Sequence, residues 1–164
     1  MIDAVIFDLD GTLLDLPIDY SRMYEKFKLL MGVSEVRPLL KTVAQIKDPL
    51  VLQRVFDAWT GFELDIIDKT TVHEEGMRLY RQHAEKPKGL VTMQGRETIS
   101  KILPKFSLSF EVIVTREDSF NRIEQLKAAA EKLGVAMGDV LFVGNMDNDE
   151  NAAKELGCKF IRVK

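Results

Sequence analysis

Five short apolar runs, rich in branched and aromatic residues, lie near the two ends of the chain, at residues 4–7, 90–92, 112–114, 140–143 and 160–161. Each run is bounded by polar or turn-forming residues, the pattern of strands that are buried on both faces of a sheet. Between the later runs lie segments with helical spacing, at 96–103, 122–133 and 148–156. This alternation predicts an α/β fold, a Rossmann-like doubly wound parallel sheet with right-handed crossovers.

The middle of the chain, residues 16–87, breaks this rhythm and contains no convincing strand. Proline, glycine and capping residues divide it into four candidate helices, which begin near residues 17, 34, 48 and 65. The third is predicted to end at Gly61, and the fourth to continue to residue 86, before Pro87. We therefore predict a helical insertion at 16–87 in an α/β core made of residues 1–15 and 88–164.

The net charge and the lengths of the apolar runs argue against some classes of binding partner. The chain has 23 Lys and Arg against 26 Asp and Glu, a net charge of −3, and no basic run interleaved with aromatic residues. This argues against binding to nucleic acid or to an anionic membrane. No apolar run approaches the roughly 20 residues that span a bilayer, and the N-terminus lacks the basic and apolar regions of a signal peptide. We expect a cytoplasmic protein, and the sequence carries no indication of its oligomeric state.

Polar residues follow three of the predicted strands, at the sheet edge where parallel α/β sheets bind ligands. Asp8 and Asp10 follow the first strand, and Gly11 after them permits a tight turn. Thr92 follows the second strand, and an oxygen-rich cluster at 144–149 follows the fourth. Paired acids suit either a hard cation such as Mg²⁺ or a nucleophile with a general acid. Each cluster alone could simply cap a turn or a helix, but their common location favours a site.

These motifs resemble those of the haloacid dehalogenase-like (HAD) hydrolase superfamily, in its phosphatase branch of the phosphoglycolate phosphatase or β-phosphoglucomutase kind. The run Asp8-Leu9-Asp10-Gly11-Thr12 after an apolar strand resembles the first motif, residues 90–92 the second, and residues 141–154 the fourth. A helical cap inserted soon after the first motif is also a family trait. The resemblance covers the whole core and implies a HAD-like core with an α-helical cap.

The resemblance also implies roles for individual residues. Asp8 would attack phosphorus and become an aspartyl phosphate, while Asp10 would protonate the leaving oxygen and later activate water. The phosphoryl oxygens would be held by Thr92 and by nearby positions, Gly11, Thr12 and Met93. A Mg²⁺ ion would be bound by oxygens of Asp8, Asp10, Asn145 and Asp149. The implied activity is a Mg²⁺-dependent phosphatase that acts on a small phosphorylated metabolite.

Two departures from the family pattern keep alternatives open. The fourth motif has Asn145 where the family usually has Asp, so one negative charge is lost unless Asp147 or Asp149 compensates. The Lys of the third motif is missing. Arg122 is the nearest cation that could replace it, although Arg122 could equally be a surface charge in the first turn of a helix. Arg116 is a second candidate for the same role. A phosphomutase and a catalytically weakened binding or regulatory protein therefore remain alternatives. A true dehalogenase is disfavoured, because that reaction does not need the acid Asp10.

Overall fold

Seven strands form two sheets in the computed structural model, which describes residues 1–164. In chain order they are β1 (Ala4–Phe7), β2 (Leu14–Asp15), β3 (Thr71–Val72), β4 (Lys88–Val91), β5 (Val112–Val114), β6 (Val140–Gly144) and β7 (Lys159–Arg162). Five of them pair in parallel in the order β5-β4-β1-β6-β7. Every residue of the central strand β1 is buried, because helices cover both faces of the sheet. The predicted doubly wound α/β fold is confirmed.

Seven α-helices surround and extend this sheet. They are α1 (Tyr20–Met31), α2 (Leu39–Ala44), α3 (Pro49–Leu64), α4 (Glu74–Gln82), α5 (Arg96–Lys105), α6 (Arg122–Leu133) and α7 (Asp147–Leu156). Successive side chains of a strand point to opposite faces, so Phe7 packs with the α5 side and Ile6 with α6 and α7. No helix combines the length and the apolar character that crossing a membrane requires.

Helices α1, α2 and α3 form the helical part of the insertion. α1 ends at Gly32, which adopts φ 66°, and α3 begins at Pro49 with Asp48 as its N-cap, as predicted. α1 packs along α3, and the rings of Phe27 and Trp59 meet edge to face at 5.7 Å. These contacts make α1 and α3 one packed unit next to the carboxyl end of β1.

Several local predictions in and beside the insertion were wrong. The first two helices begin later than predicted, α1 at Tyr20 and α2 at Leu39. β2 and β3 pair as an antiparallel ribbon, Leu14 with Val72 and Asp15 with Thr71, where no strand was expected. The fourth predicted helix is accordingly interrupted, and only α4 is α-helical there. α3 continues past Gly61 to Leu64, because Glu63 is held in the core by contacts that helix periodicity does not reveal.

Helix α4 lies against the main sheet. The Tyr80 ring is 5.8 Å from that of Phe7, and its hydroxyl donates to the Ser109 carbonyl at 3.1 Å. Gly76 passes so close to the loop after β1 that an added Cβ would lie 1.6 Å from the Thr12 carbonyl oxygen. The boundaries 16–87 of the insertion stay a prediction, and α4, which lies within that segment, packs on Phe7 of the sheet through Tyr80.

Candidate active site

Asp8 and Asp10 lie in a tight loop at the carboxyl end of β1. The Asp8 N–H donates to the Val143 carbonyl at 3.0 Å, which continues the pairing of β1 with β6. Asp10 accepts the Leu16 N–H at 3.0 Å and the Tyr20 hydroxyl at 3.4 Å. Gly11 has φ 79°, and a Cβ there would lie 2.2 Å from the Asn145 side chain, so glycine is required. The loop therefore holds both acids at the predicted sheet edge.

The backbone of this loop is already hydrogen-bonded within itself. The N–H groups of Gly11 and Thr12 donate to the carbonyls of Leu14 and Leu9, at 2.8 and 3.1 Å. The Thr12 hydroxyl lies 3.3 Å from Asp8 Oδ2 and 3.3 Å from Asn145 Oδ1. Gly11 and Thr12 thus shape the loop and orient Asp8, and their N–H groups are engaged inside the loop.

Arg122, the first residue of α6, lies between two buried carboxylates. Its Nη2 is 3.1 Å from Asp8 Oδ1, and its Nε is 2.9 Å from Asp149 Oδ1. Nη1 donates to Gln125 Oε1 at 2.7 Å, which fixes the guanidinium from its third side. Only 8% of the side chain is exposed. The sequence left Arg122 either as a surface charge or as a cation that reaches the acids, and the structure places it beside the acids.

The loop after β6 contributes Asn145 and Asp149. Asp149 Oδ2 accepts the N–H groups of Asn145 and Met146, both at 3.1 Å, so this acid also holds the loop at the start of α7. Asp147 points elsewhere: its side chain is 90% exposed and pairs with Arg162 at 2.7 Å. Asp149, not Asp147, therefore lies with Asp8 and Asn145.

Thr92 lies behind the cavity wall and not on it. Its side chain is fully buried, its hydroxyl hydrogen-bonds with the Gln94 side chain, and it accepts the Gln94 N–H at 3.1 Å. Gln125 donates to the Thr92 carbonyl at 3.0 Å. Sequence reasoning missed Gln94 and Gln125. The signals for them are their positions, two residues after Thr92 and one helical turn after Arg122.

The structure does not bring Arg116 into the cavity. Its side chain is fully buried, with Nη1 at 2.8 Å from Glu63 of α3 and Nη2 at 2.7 Å from the Thr60 hydroxyl. Its guanidinium carbon lies 4.4 Å from the centre of the Trp59 ring. The charge of Arg116 is satisfied by the insertion, so Arg122 is the cation beside the acids.

A cavity of about 440 Å³ opens between the sheet edge and the insertion. Three acids and one cation line it, Asp8, Asp10, Asp149 and Arg122, together with Met93, Gln94 and Asn145. No three His, Cys, Asp or Glu side chains converge as a metal site by themselves. A cation bound here would therefore need amide and carbonyl oxygens as well as carboxylates. A larger groove, near 530 Å³, lies beside α5 and β5 but contains no carboxylate.

Burial changes the acidity of both acids after β1. Burial raises the pKa of Asp8 to about 7, with Asp149 adding to the rise and Arg122 opposing it. Burial also raises the pKa of Asp10, against the hydrogen bond from the Leu16 N–H. Burial thus makes both carboxyls easier to protonate, and an ionised Asp8 needs positive charge nearby.

The raised pKa of Asp8 predicts a pH-dependent stability. Between the unfolded pKa of 3.8 and the folded pKa of about 7, the folded chain keeps a proton that the unfolded chain has lost. The free energy of unfolding should therefore fall as pH rises through this window. Asp8→Asn removes the titrating group, so the variant should not lose this stability. In urea titrations with a chelator, the free energy of unfolding of the variant minus that of the wild type should rise by on the order of 3 kcal/mol between about pH 4.5 and about pH 7.5.

The matched control for this titration is Asp3→Asn, which removes an exposed acid near the same strand. Its stability should follow that of the wild type at every pH. A gap between Asp8→Asn and the wild type that stays constant, or that closes with rising pH, would show that Asp8 is already ionised in the folded chain.

Known proteins resemble this chain in sequence and in fold. A phosphoglycolate phosphatase of Escherichia coli (strain K12) is 30% identical over 122 residues, which are 66% of this chain and 45% of that protein. The chain thus spans somewhat under half the length of this curated relative.

Two solved structures share the fold. CbbY from Rhodobacter sphaeroides, in complex with phosphate, has a TM-score of 0.73 at 19% identity. The superposition covers 99% of this chain and 86% of the CbbY chain. A haloacid dehalogenase-like family hydrolase from Streptococcus pneumoniae has a TM-score of 0.71 at 17% identity, covering 98% and 84%. At these identities the likeness concerns the fold alone.

The family model described as haloacid dehalogenase-like hydrolase matches residues 25–163. This match confirms the family resemblance; it includes the loop after β6, whereas the loop after β1 lies before the matched residues. On the arrangement of its sheet, its insertion and this match, the chain belongs to the haloacid dehalogenase-like hydrolase family.

Proposed function

We propose that the protein is a Mg²⁺-dependent phosphatase that hydrolyses a small phosphorylated metabolite through an aspartyl phosphate on Asp8. The observation that carries the proposal is the contact of one cation, Arg122, with the carboxylates of Asp8 and Asp149, at 3.1 and 2.9 Å. Phosphoryl transfer depends on positioning the nucleophile and on neutralising charge at the transferred oxygens. A carboxylate held beside a guanidinium at a strand end supports both requirements.

The two acids divide the chemistry between them. In the first step a carboxylate oxygen of Asp8 bonds to phosphorus, the bond from phosphorus to the ester oxygen breaks, and Asp10 gives its proton to the departing oxygen. In the second step Asp10 takes a proton from water as the water oxygen attacks phosphorus, and the bond between phosphorus and the Asp8 oxygen breaks. Inorganic phosphate leaves, and both side chains return to their starting states. The raised pKa of Asp10 supports its role as the acid.

Arg122 and the Met93 N–H are the groups best suited to hold the phosphoryl oxygens. Arg122 lies beside Asp8, where negative charge accumulates as the phosphoryl group is transferred. Met93 lines the cavity, and its N–H donates to no acceptor within the chain. Thr92 would act indirectly, through the Gln94 contact that shapes the same loop.

The donor set fits Mg²⁺, which prefers hard oxygen ligands. The Asp8 carboxylate, the Asp10 carbonyl and the Asn145 amide oxygen would hold the ion, with Asp149 contributing charge from behind Arg122. Three carboxyl groups face one cation in the cavity, so a divalent ion would relieve their repulsion. When bound, Mg²⁺ supplies positive charge that favours ionised Asp8 and stabilises the phosphoryl oxygens.

Two observations favour a second candidate, a catalytically weakened binding protein. Asn145 carries no charge where the family motif usually has an acid, and Arg122 already engages Asp8. A screen of phosphorylated metabolites with and without Mg²⁺ separates the two candidates. Phosphoglycolate, which the names of the curated relatives indicate, belongs in the panel as an ester whose alcohol carries a carboxylate. Mg²⁺-stimulated release of phosphate supports the phosphatase, whereas absence of turnover across the panel supports the binding protein.

Asn145→Asp is expected to tighten metal binding. The added carboxylate raises the charge of the ligand set, so the Mg²⁺ concentration for half-maximal hydrolysis of an aryl phosphate should fall about tenfold. Asn151→Asp places the same charge on the exposed face of α7 and should leave this concentration unchanged. Equal Mg²⁺ dependence in the two variants would mean that residue 145 is not a ligand.

A further inference from the structure

The insertion presents an apolar wall to the cavity. Its contribution consists of aromatic and aliphatic side chains from α1, α2 and α3: Tyr20, Tyr24, Leu39, Leu40 and Trp59. No Lys, Arg or His of the insertion lines the cavity. The opposite wall carries the acids, so the part of a ligand that points away from Asp8 would meet aromatic rings, aliphatic side chains and only uncharged polar groups, the tyrosine hydroxyls and the Trp59 N–H.

Trp59 is the most firmly held part of this wall. Its ring stacks on Phe120 with centroids 6.1 Å apart, and it also contacts the guanidinium of Arg116. Arg116 is itself paired with Glu63 at 2.8 Å, and both side chains are fully buried. The charge of Arg116 is therefore neutralised and cannot serve an anionic ligand in the cavity.

We infer that the group esterified to phosphate in the substrate is an uncharged alcohol with an aromatic or aliphatic body, and not one that carries a carboxylate or a second phosphate. This inference rests on the proposed function. A second anion would lose its hydration against a wall that offers no cation in exchange. It would also be repelled by the carboxyls of Asp8, Asp10 and Asp149, with Arg122 as the one cation in the cavity. An apolar body would instead cover the exposed parts of Tyr24 and Leu40.

Binding of two non-hydrolysable probes tests the inference without requiring turnover. Benzylphosphonate and 4-carboxybenzylphosphonate differ by one carboxylate, and Trp59 is the single tryptophan of the chain, so its fluorescence reports the cavity. With Mg²⁺ present, benzylphosphonate should bind at least about tenfold more tightly than its carboxylated partner. Calorimetry gives the same comparison without relying on the indole signal.

A variant pair provides the matched control. Leu40→Lys adds a cation to the apolar wall and should reduce the preference for benzylphosphonate by about tenfold. Leu50→Lys adds the same charge at a position that is 69% exposed and outside the cavity, and it should leave the preference as in the wild type.

Each outcome of these titrations has a defined meaning. Equal or tighter binding of the carboxylated probe by the wild type overturns the inference, as does failure of both probes to bind. A preference that Leu40→Lys leaves unchanged also overturns it, because the apolar wall would not be its cause. If the preference is found but neither benzyl phosphate nor any other ester is hydrolysed, the specificity of the cavity stands and the proposed hydrolysis fails.

Discussion

Asp8→Asn should lower kcat for the hydrolysis of an aryl phosphate by at least about 1000-fold. The amide has no anionic oxygen to attack phosphorus, so the aspartyl phosphate cannot form. Asp8 is only 5% exposed and is held beside Arg122 in the loop at the end of β1. The measurement is the steady-state release of the alcohol in the presence of Mg²⁺.

The loss must be separated from a loss of folding. Asparagine has nearly the shape of aspartate, and burial disfavours the charge of Asp8, so the variant should have a urea midpoint at neutral pH no lower than that of the wild type. Asp3→Asn, at an exposed position before β1, should keep full activity. Turnover by a folded Asp8→Asn protein would contradict the proposed mechanism.

Arg116→Met should lower the free energy of unfolding by about 3–5 kcal/mol. The substitution leaves the Glu63 carboxylate buried without its cation, although the Gly95 N–H at 3.1 Å and the Thr98 hydroxyl at 2.8 Å still donate to it. Burial already raises the pKa of Glu63 against the effect of Arg116. The measurement is chemical denaturation at neutral pH, where an unpaired carboxylate costs most.

Two further variants separate charge from packing. Glu63→Gln combined with Arg116→Met removes both charges and should recover a large part of the lost stability. Lys105→Met breaks the exposed ion pair with Asp68, in which the charged atoms are 2.7 Å apart, and should leave stability close to that of the wild type. If the two single variants were equally stable, the buried pair would not fasten α3 to the core.

The parts of the fold that the sequence predicted are those set by neighbours along the chain. The observed bounds of α6, Arg122–Leu133, coincide with the predicted ones, because Gly134 ends the helix with φ 70° whatever packs around it. The loop after β1 was predicted for the same reason, since a buried apolar run followed by acids and Gly11 has few local alternatives.

The parts that the sequence did not predict depend on partners far along the chain. The ribbon of β2 and β3 joins Leu14 to Val72, and two-residue strands have no period that could be recognised. Gly61 appeared to end α3 on local grounds, but the burial of Glu63 against Arg116 carries the helix onward. The apolar wall of the cavity likewise combines side chains from three helices.

The sequence by itself determined the α/β alternation, the acidic loop after β1 and the residue types at the ends of the strands, because each follows from contacts within a few residues. Only the tertiary structure decided which arginine lies beside Asp8 and which lies under Trp59. Arg122 is 114 residues from Asp8 along the chain, and Arg116 is 53 residues from Glu63. Ion pairing depends on distance in space and on burial, and neither is encoded by position along the chain.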